Sequence, residues 1–264
     1  MNAQRIPVLM YHRIGQAHNS WEAKYCVSPG NFVAQMQRLA REGQRAVSLT
    51  DFRAWLDGKS ELPRGAFVLT FDDGFLGLHE HAMPVLESLG FHATVFLVSA
   101  LIGKSDEWCR ANNPSGATYP LLDRHHILEM SAHGFDFQSH TRRHADLPTL
   151  DDAQLADEVS GSRAELEDML GRPIAYLAYP FGRYDERVMA ASKEAGYQAA
   201  FSVQPGFNRR DIDRFRIRRL DVFGTDTPAM LKRKIHYGSN DGSWLQVLRY
   251  HGTQIRSRLG FAHG

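Results

Sequence analysis

Short apolar runs of strand length alternate with stretches of helical period along most of this chain. Pro7-Val8-Leu9-Met10-Tyr11 predicts a first strand, followed at once by His12, and the polar segment to about Pro29 reads as a loop carrying Trp21 and Tyr25. Phe32, Met36, Leu39 and Ala40 share one face of a helix from Asn31 that Gly43 closes. Ala46 to Leu49 predicts a short strand, and Thr50 the cap of a helix bearing Phe52, Trp55 and Leu56. Further strands are expected over Ala66 to Phe71, Ala93 to Val98, Phe135 to Ser139, Ile174 to Tyr179, Ala199 to Val203 and Arg216 to Val222. Helices are expected over His79 to Leu89, Asp123 to His133 and Asp185 to Ala195, and a long one from Thr149-Leu150-Asp151-Asp152 to Leu170. Thr227-Pro228 opens another by the preference for proline in a first helical turn. A final amphipathic helix carries Trp244, Val247, Leu248 and Ile255, ahead of a frayed end. Leu101 to Tyr119 is long and irregular, as lids and substrate-binding walls often are. No linker or internal repeat divides the chain, so the pattern predicts one domain, either a parallel α/β barrel or a doubly wound sheet.

The apolar run Val68-Leu69-Thr70-Phe71 ends in Asp72-Asp73-Gly74. Neighbouring side chains of an extended chain point opposite ways, so one carboxylate can bind a metal while the other moves protons. A turn or helix cap is the plain alternative for Asp-Asp-Gly. The same setting recurs: His12 follows the first strand, His140 a later one, and Pro180-Phe181-Gly182 another. In a barrel all strand ends open on one face, where these groups would converge.

Ser139-His140-Thr141-Arg142-Arg143-His144 spaces two imidazoles so that a helical turn would set both on one side, able to grip one metal. No glutamate lies between them, so Asp72 is the candidate general base. Two histidines and a carboxylate leave a position open for water, and His12 has the ordinary acidity for protonating a leaving atom. With 13 histidines in the chain, such a pair also arises by chance. His79, His81, His125 and His126 lack the strand-end setting and read as surface groups, and His133 as a helix C-terminal histidine.

Composition narrows the partners. The 264 residues are 43% hydrophobic and 23% charged, with a net charge of +1, which favours neither nucleic acid nor membrane and suits an uncharged substrate. Cys26 and Cys109 are far apart and are expected as free thiols. No signal peptide or membrane-length apolar run is visible, so a soluble, cytoplasmic protein is expected.

Thr70-Phe71-Asp72-Asp73-Gly74 resembles the first motif of the polysaccharide deacetylases, the NodB-homology domains of carbohydrate esterase family four. His140-Thr141-Arg142-Arg143-His144 is similar to their second motif and Tyr179-Pro180-Phe181-Gly182 to their third. The resemblance spans about Val8 to Val222 and implies a distorted (β/α)7 barrel. It implies Asp72 as base, Asp73, His140 and His144 as metal ligands, and the Phe181 backbone N–H as an oxyanion donor. Two departures stand out. The third-motif arginine that orients the base is replaced by Ala178; Arg219 is a candidate substitute, with a solvated basic strand edge as the alternative. No late Leu-x-x-His motif is evident; instead Leu9-Met10-Tyr11-His12-Arg13 resembles the N-terminal segment of poly-N-acetylglucosamine exopolysaccharide deacetylases, which implies His12 as the acid.

The leading expectation is a metal-dependent N-deacetylase acting on an N-acetylated amino sugar, with zinc as the default ion and cobalt or nickel compatible with the same ligands. A related C–N hydrolase, such as a deformylase or small-amide hydrolase on a cytoplasmic metabolite, is the second reading. A non-catalytic sugar-binding domain is the third. Trp55 and Trp244 sit on apolar helix faces and are expected in the core, whereas Trp21 and Trp108 lie in loops and are candidates for substrate contact.

Overall fold

A computed structural model describes residues 4–243; the expected last helix and frayed end lie outside them. The predicted alternation is present. Strands β1 (Val8–Tyr11), β2 (Arg13–Ile14), β3 (Cys26–Val27), β4 (Arg45–Val47), β5 (Ala66–Phe71), β6 (Ala93–Leu97), β7 (Phe135–Ser139), β8 (Tyr176–Ala178), β9 (Ala199–Phe201) and β10 (Leu220–Asp221) occur in chain order. Between and after them come helices α1 (Pro29–Arg41), α2 (Leu49–Leu56), α3 (Met83–Leu89), α4 (Arg124–Ala132), α5 (Asp152–Ala156), α6 (Ser162–Leu170), α7 (Glu186–Glu194) and α8 (Pro228–Tyr237).

The main sheet runs β10-β1-β5-β6-β7-β8-β9, with every pairing parallel. It curls on itself: Phe201 at the end of β9 bridges to Ile217, a few residues before β10 pairs with β1. The result is the expected distorted (β/α)7 barrel. One distortion is local. β4 borders the start of β5 and β6 its end, so two strands share one edge of β5. The closing stretch forms less ladder than the pattern of Arg216 to Val222 suggests. Asn208 is the reason: its side chain accepts the Arg218 N–H and donates to the Arg218 carbonyl, occupying the groups a neighbouring strand would use.

Other boundaries follow local chemistry. Ser48, not Thr50, caps α2, because Ser48 Oγ accepts the Asp51 N–H. Leu49 therefore belongs to the helix, and β4 is shorter than expected. The long helix after Asp151 and the helix before Gly90 each contain a π-helical turn, over Asp157–Gly161 and Leu78–Ala82. Thr227 caps α8 as expected, and Asp185 caps α7. The loop before Pro29 contains the small β2–β3 pair.

Strand alternation divides the apolar residues into two cores. Outward-facing Leu9, Leu69, Val95 and Phe137 pack under the helices. Inward-facing Val8, Val68, Phe96, Ala178 and Ile217 meet Phe52 and Trp55 of α2, which lie against Ile6, Leu62 and Ala66 near the strand starts. Trp55 is 1% exposed. Removing that side chain as Trp55→Ala is expected to cost about 3–5 kcal/mol in a urea titration. The chemistry at the opposite ends of the strands should survive in the fraction that stays folded.

Candidate functional site

The same alternation that fills the barrel delivers polar groups to its mouth. Met10 and His12, Thr70 and Asp72, Gln138 and His140, and Ile217 and Arg219 are i, i+2 pairs at strand ends, so both members face inward. The first member of each pair is apolar or neutral, and the titratable one comes last. The strand ends open into a cavity of about 290 Å³ that Asp72, Asp73, His12, His140, His144 and Phe181 help to line.

Alternation stops after Asp72, so Asp73 is not placed as the sequence pattern suggests. Asp73 has φ of 71° and Gly74 of 78°, so Asp73 is left-handed rather than extended and does not face away from Asp72. Both carboxylates enter one cavity: His140 Nε2 is 3.5 Å from Asp73 Oδ1 and 3.9 Å from Asp72 Oδ2. Gly74 is needed twice, since a Cβ there would also lie 2.6 Å from Leu97 Cδ2. The histidine pair is not on a helical turn either. Thr141 and His144 have φ of 65° and 61°, giving an irregular turn in which Thr141 Oγ1 accepts the His144 N–H.

That turn sets His144 Nε2 3.4 Å from Asp73 Oδ1. The candidate ligand atoms of Asp73, His140 and His144 all lie within 4.8 Å of one another, and all three residues are buried. The His140 Nδ1–H donates to the Ala178 carbonyl at 2.8 Å, leaving the Nε2 lone pair directed at the cluster. Among the described residues, Asp73 Oδ1 and His144 Nδ1 are buried without a hydrogen-bond partner. Burial pushes the Asp73 carboxyl well up, with Asp72 and Asp106 adding to it, and pushes both imidazoles down. One hard oxygen and two imidazole nitrogens, gathered in a buried cluster with an orphaned carboxylate atom, fit a divalent cation.

Asp72 has a different partner. Arg219 Nη1 and Nη2 donate to its two oxygens at 2.6 and 2.8 Å. The guanidinium is fully buried, lies beside the Phe96 and Phe201 rings, and spends its Nε–H on the Ser202 carbonyl. The solvated-edge alternative for Arg219 is therefore excluded. Burial alone would raise the Asp72 carboxyl; the guanidinium, with His140, overrides it and brings the carboxyl down to about 2. Asp72 is thus ionised, oriented and separate from the Asp73 cluster. His12 departs from its expected acidity. Removal from water pushes it down to about 4, against the pull of Asp72, and its buried Nδ1 has no hydrogen-bond partner among the described residues.

Phe181, at φ 56°, turns the chain after β8, and its half-exposed ring meets His144 edge-on at 4.6 Å. Trp108 stacks on the other side of His144, with centroids 4.5 Å apart. Trp21 and Trp108 both line the cavity, while Trp55 is in the core. Sequence reasoning missed the group that joins the walls. Glu22 is 4% exposed and accepts from Arg13, the His18 N–H, Asn19, Asn113 and the Tyr119 hydroxyl. It ties the loop after His12 to the long loop before α4. A glutamate beside an exposed tryptophan in a polar segment carries no signal that it is a buried hub. Cys26 and Cys109 are free, as expected.

Comparison with known proteins agrees with this geometry. The polysaccharide deacetylase family model matches residues 59–200. YxkH of Bacillus subtilis is 27% identical over 245 residues, covering 93% of this chain and 77% of that protein. A poly-β-1,6-N-acetyl-D-glucosamine N-deacetylase of Staphylococcus epidermidis is 27% identical over 217 residues, covering 79% of this chain and 72% of its own length. Among solved structures, a polysaccharide deacetylase from Bacillus cereus has a TM-score of 0.73 at 28% identity, over 88% of this chain and 69% of that one. The Streptococcus pyogenes deacetylase PplD shares the fold, with a TM-score of 0.76 at 22% identity over 89% of this chain and 99% of that one.

Glu22 makes the cavity walls sensitive to acid. Burial would raise its carboxyl, but the His18 N–H, Tyr119, Asn113 and Arg13 bring it from the ordinary 4.5 down to about 2. A carboxyl more acidic folded than unfolded stabilises the fold above its unfolded value and loses that contribution as pH falls through the folded one. The stability difference between the parent and Glu22→Gln, measured by urea midpoint, should be full above pH 4.5 and close as pH approaches about 2.

Proposed function

The chain belongs to the polysaccharide deacetylase family, and from that premise we propose that it is a divalent-cation-dependent N-deacetylase of N-acetylated glycans, of the poly-N-acetylglucosamine kind. The observation that carries the reading is the pairing of two buried units at one barrel mouth: a carboxylate that Arg219 clamps at both oxygens, and beside it the Asp73, His140 and His144 donor set. The rim supports a sugar substrate over a small amide. Trp21, Tyr25 and Phe181 are 38%, 36% and 52% exposed, and offer ring faces to a pyranose.

In this proposal Asp73 Oδ1, His140 Nε2 and His144 Nε2 hold the cation, with zinc the default and cobalt or nickel compatible. Such a cation supplies a Lewis acid that polarises the acetyl carbonyl and makes water more acidic. The chain's own groups do the rest. Asp72, ionised and held at both oxygens, takes the proton of the attacking water as the new C–O bond forms. Arg219 keeps that carboxylate from turning into the donor set. The Phe181 N–H donates to the carbonyl oxygen as negative charge grows there, a term of roughly 3 kcal/mol for one such donor. As the C–N bond breaks, His12 gives a proton to the departing nitrogen, leaving acetate and a free amine. Burial keeps His12 neutral near pH 7 in the protein alone, while the Asp72 charge favours its protonated form; the proton it delivers is therefore the one taken from the attacking water, passed on from Asp72, so that base and acid both return to their starting states.

Acetate release from N-acetylglucosamine oligomers, in zinc-loaded and chelator-treated protein, tests the activity directly. Asp72→Asn should keep zinc by elemental analysis yet lower kcat by roughly 100- to 10,000-fold. His140→Ala should lose the metal as well. Full activity in Asp72→Asn would remove the assignment of the base. Arg219→Lys keeps the charge but loses the two-pronged grip, and kcat is expected to fall roughly 100-fold as Asp72 drifts from its aligned position, with zinc content unchanged.

A further inference from the structure

The two candidate histidine ligands are anchored unequally. His140 ends a strand and donates its second ring nitrogen to a carbonyl. His144 has no such bond at Nδ1, although metal-binding histidines usually have one. Its ring is packed between Trp108, Phe181 and His140, and its backbone sits at φ 61° in a turn that also strains Thr141. Such non-glycine conformations are strained and persist only where the surroundings impose them. Something must therefore hold the turn from outside.

Glu158 does so. It lies in the π-helical turn Asp157–Gly161, between α5 and α6, and is 4% exposed. A single oxygen, Oε2, accepts the backbone N–H groups of both Arg142 and Arg143, at 3.0 and 2.8 Å. These are the residues between Thr141 and His144. The other oxygen meets Arg143 Nη1 at 3.1 Å, on a side chain that is half exposed. A π-helical turn widens the helix by one residue and often marks a functional site. Here its glutamate reaches two backbone donors of the strained turn.

We propose that Glu158 is a positioning residue for the metal centre: through the Arg142 and Arg143 backbone it sets where His144 stands relative to Asp73 and His140. This rests on the cation reading of that cluster. The essential feature is an acceptor oxygen at the right reach. Neither the negative charge nor the Arg143 ion pair is needed.

Zinc affinity of the full chain, measured by competition with a chromophoric chelator, separates these possibilities without any deacetylase assay. Glu158→Gln keeps an acceptor oxygen at the same reach and should bind zinc about as the parent does. Glu158→Asp keeps the charge but retracts the acceptor by one methylene, and should bind roughly 10- to 100-fold more weakly. Arg143→Ala removes the side-chain ion pairs to Glu158 and Asp157 but keeps the backbone N–H, and should leave affinity unchanged. The visible spectrum of the cobalt-loaded protein should change in Glu158→Asp and not in Glu158→Gln. Parent-like affinity in Glu158→Asp, or a loss in Glu158→Gln or Arg143→Ala as large as that in Glu158→Asp, would overturn the proposal. A parent chain without measurable zinc affinity would overturn the cation reading itself, and this inference with it.

Discussion

The two-pronged bond between Arg219 and Asp72 is the constraint on which the rest of the barrel mouth depends. It runs from the closing stretch past β1 to the end of β5, so it ties a late part of the chain to an early one beside the point where the ring closes. Two buried charges are costly to take out of water, and losing one partner of such a pair typically costs about 3–5 kcal/mol. The geometry here recovers much of that: both carboxylate oxygens are paired, and the guanidinium has the Ser202 carbonyl and two aromatic neighbours. The same pair decides the chemistry. By holding Asp72 ionised and turned toward Arg219, it leaves Asp73 as the carboxylate that faces the imidazoles.

Backbone strain is concentrated at the same place. Among the described residues, the non-glycine positions with positive φ are Asp73, Thr141, His144 and Phe181, and all belong to this site. Such conformations persist only where the surroundings impose them. Asp73 is followed by Gly74, packed against Leu97; the histidine turn is bonded from within by Thr141 and from outside by Glu158; Phe181 is followed by Gly182, packed against Val203. Strand ends deliver side chains in alternation, and three left-handed turns then redirect the ones that alternation would have sent elsewhere.

The walls are built on a different principle. The loop after His12 and the long loop before α4 have little regular structure, and their order comes from Glu22 and its donors, with Arg13 stacked 3.5 Å from the Tyr119 ring. This polar hub lets exposed aromatic rings stand at the rim without an apolar core beneath them. The result is a pocket with a buried ligand cluster inside and aromatic rings exposed at its mouth.

Local pattern carried much of this. The bounds of β5 and β7, the capping of α7 and α8 and the order of the elements were readable because periodicity and caps are short-range. The acidic pair and the histidine pair were readable because their spacing sits directly after apolar strands. Long-range pairing was not. Arg216, Arg218 and Arg219 look alike in the chain, and only closure of the barrel sends Arg219 inward to a carboxylate 147 positions earlier. Asp73 could not be placed beside Asp72 from strand alternation, since its left-handed turn is imposed by the packing of Gly74. The displaced acidity of His12 and the hub at Glu22 likewise depend on burial and on partners brought from other loops. Spacing along the chain determines which groups reach the barrel mouth; the tertiary fold determines which of them touch, because contacts across a closed sheet have no short-range signature.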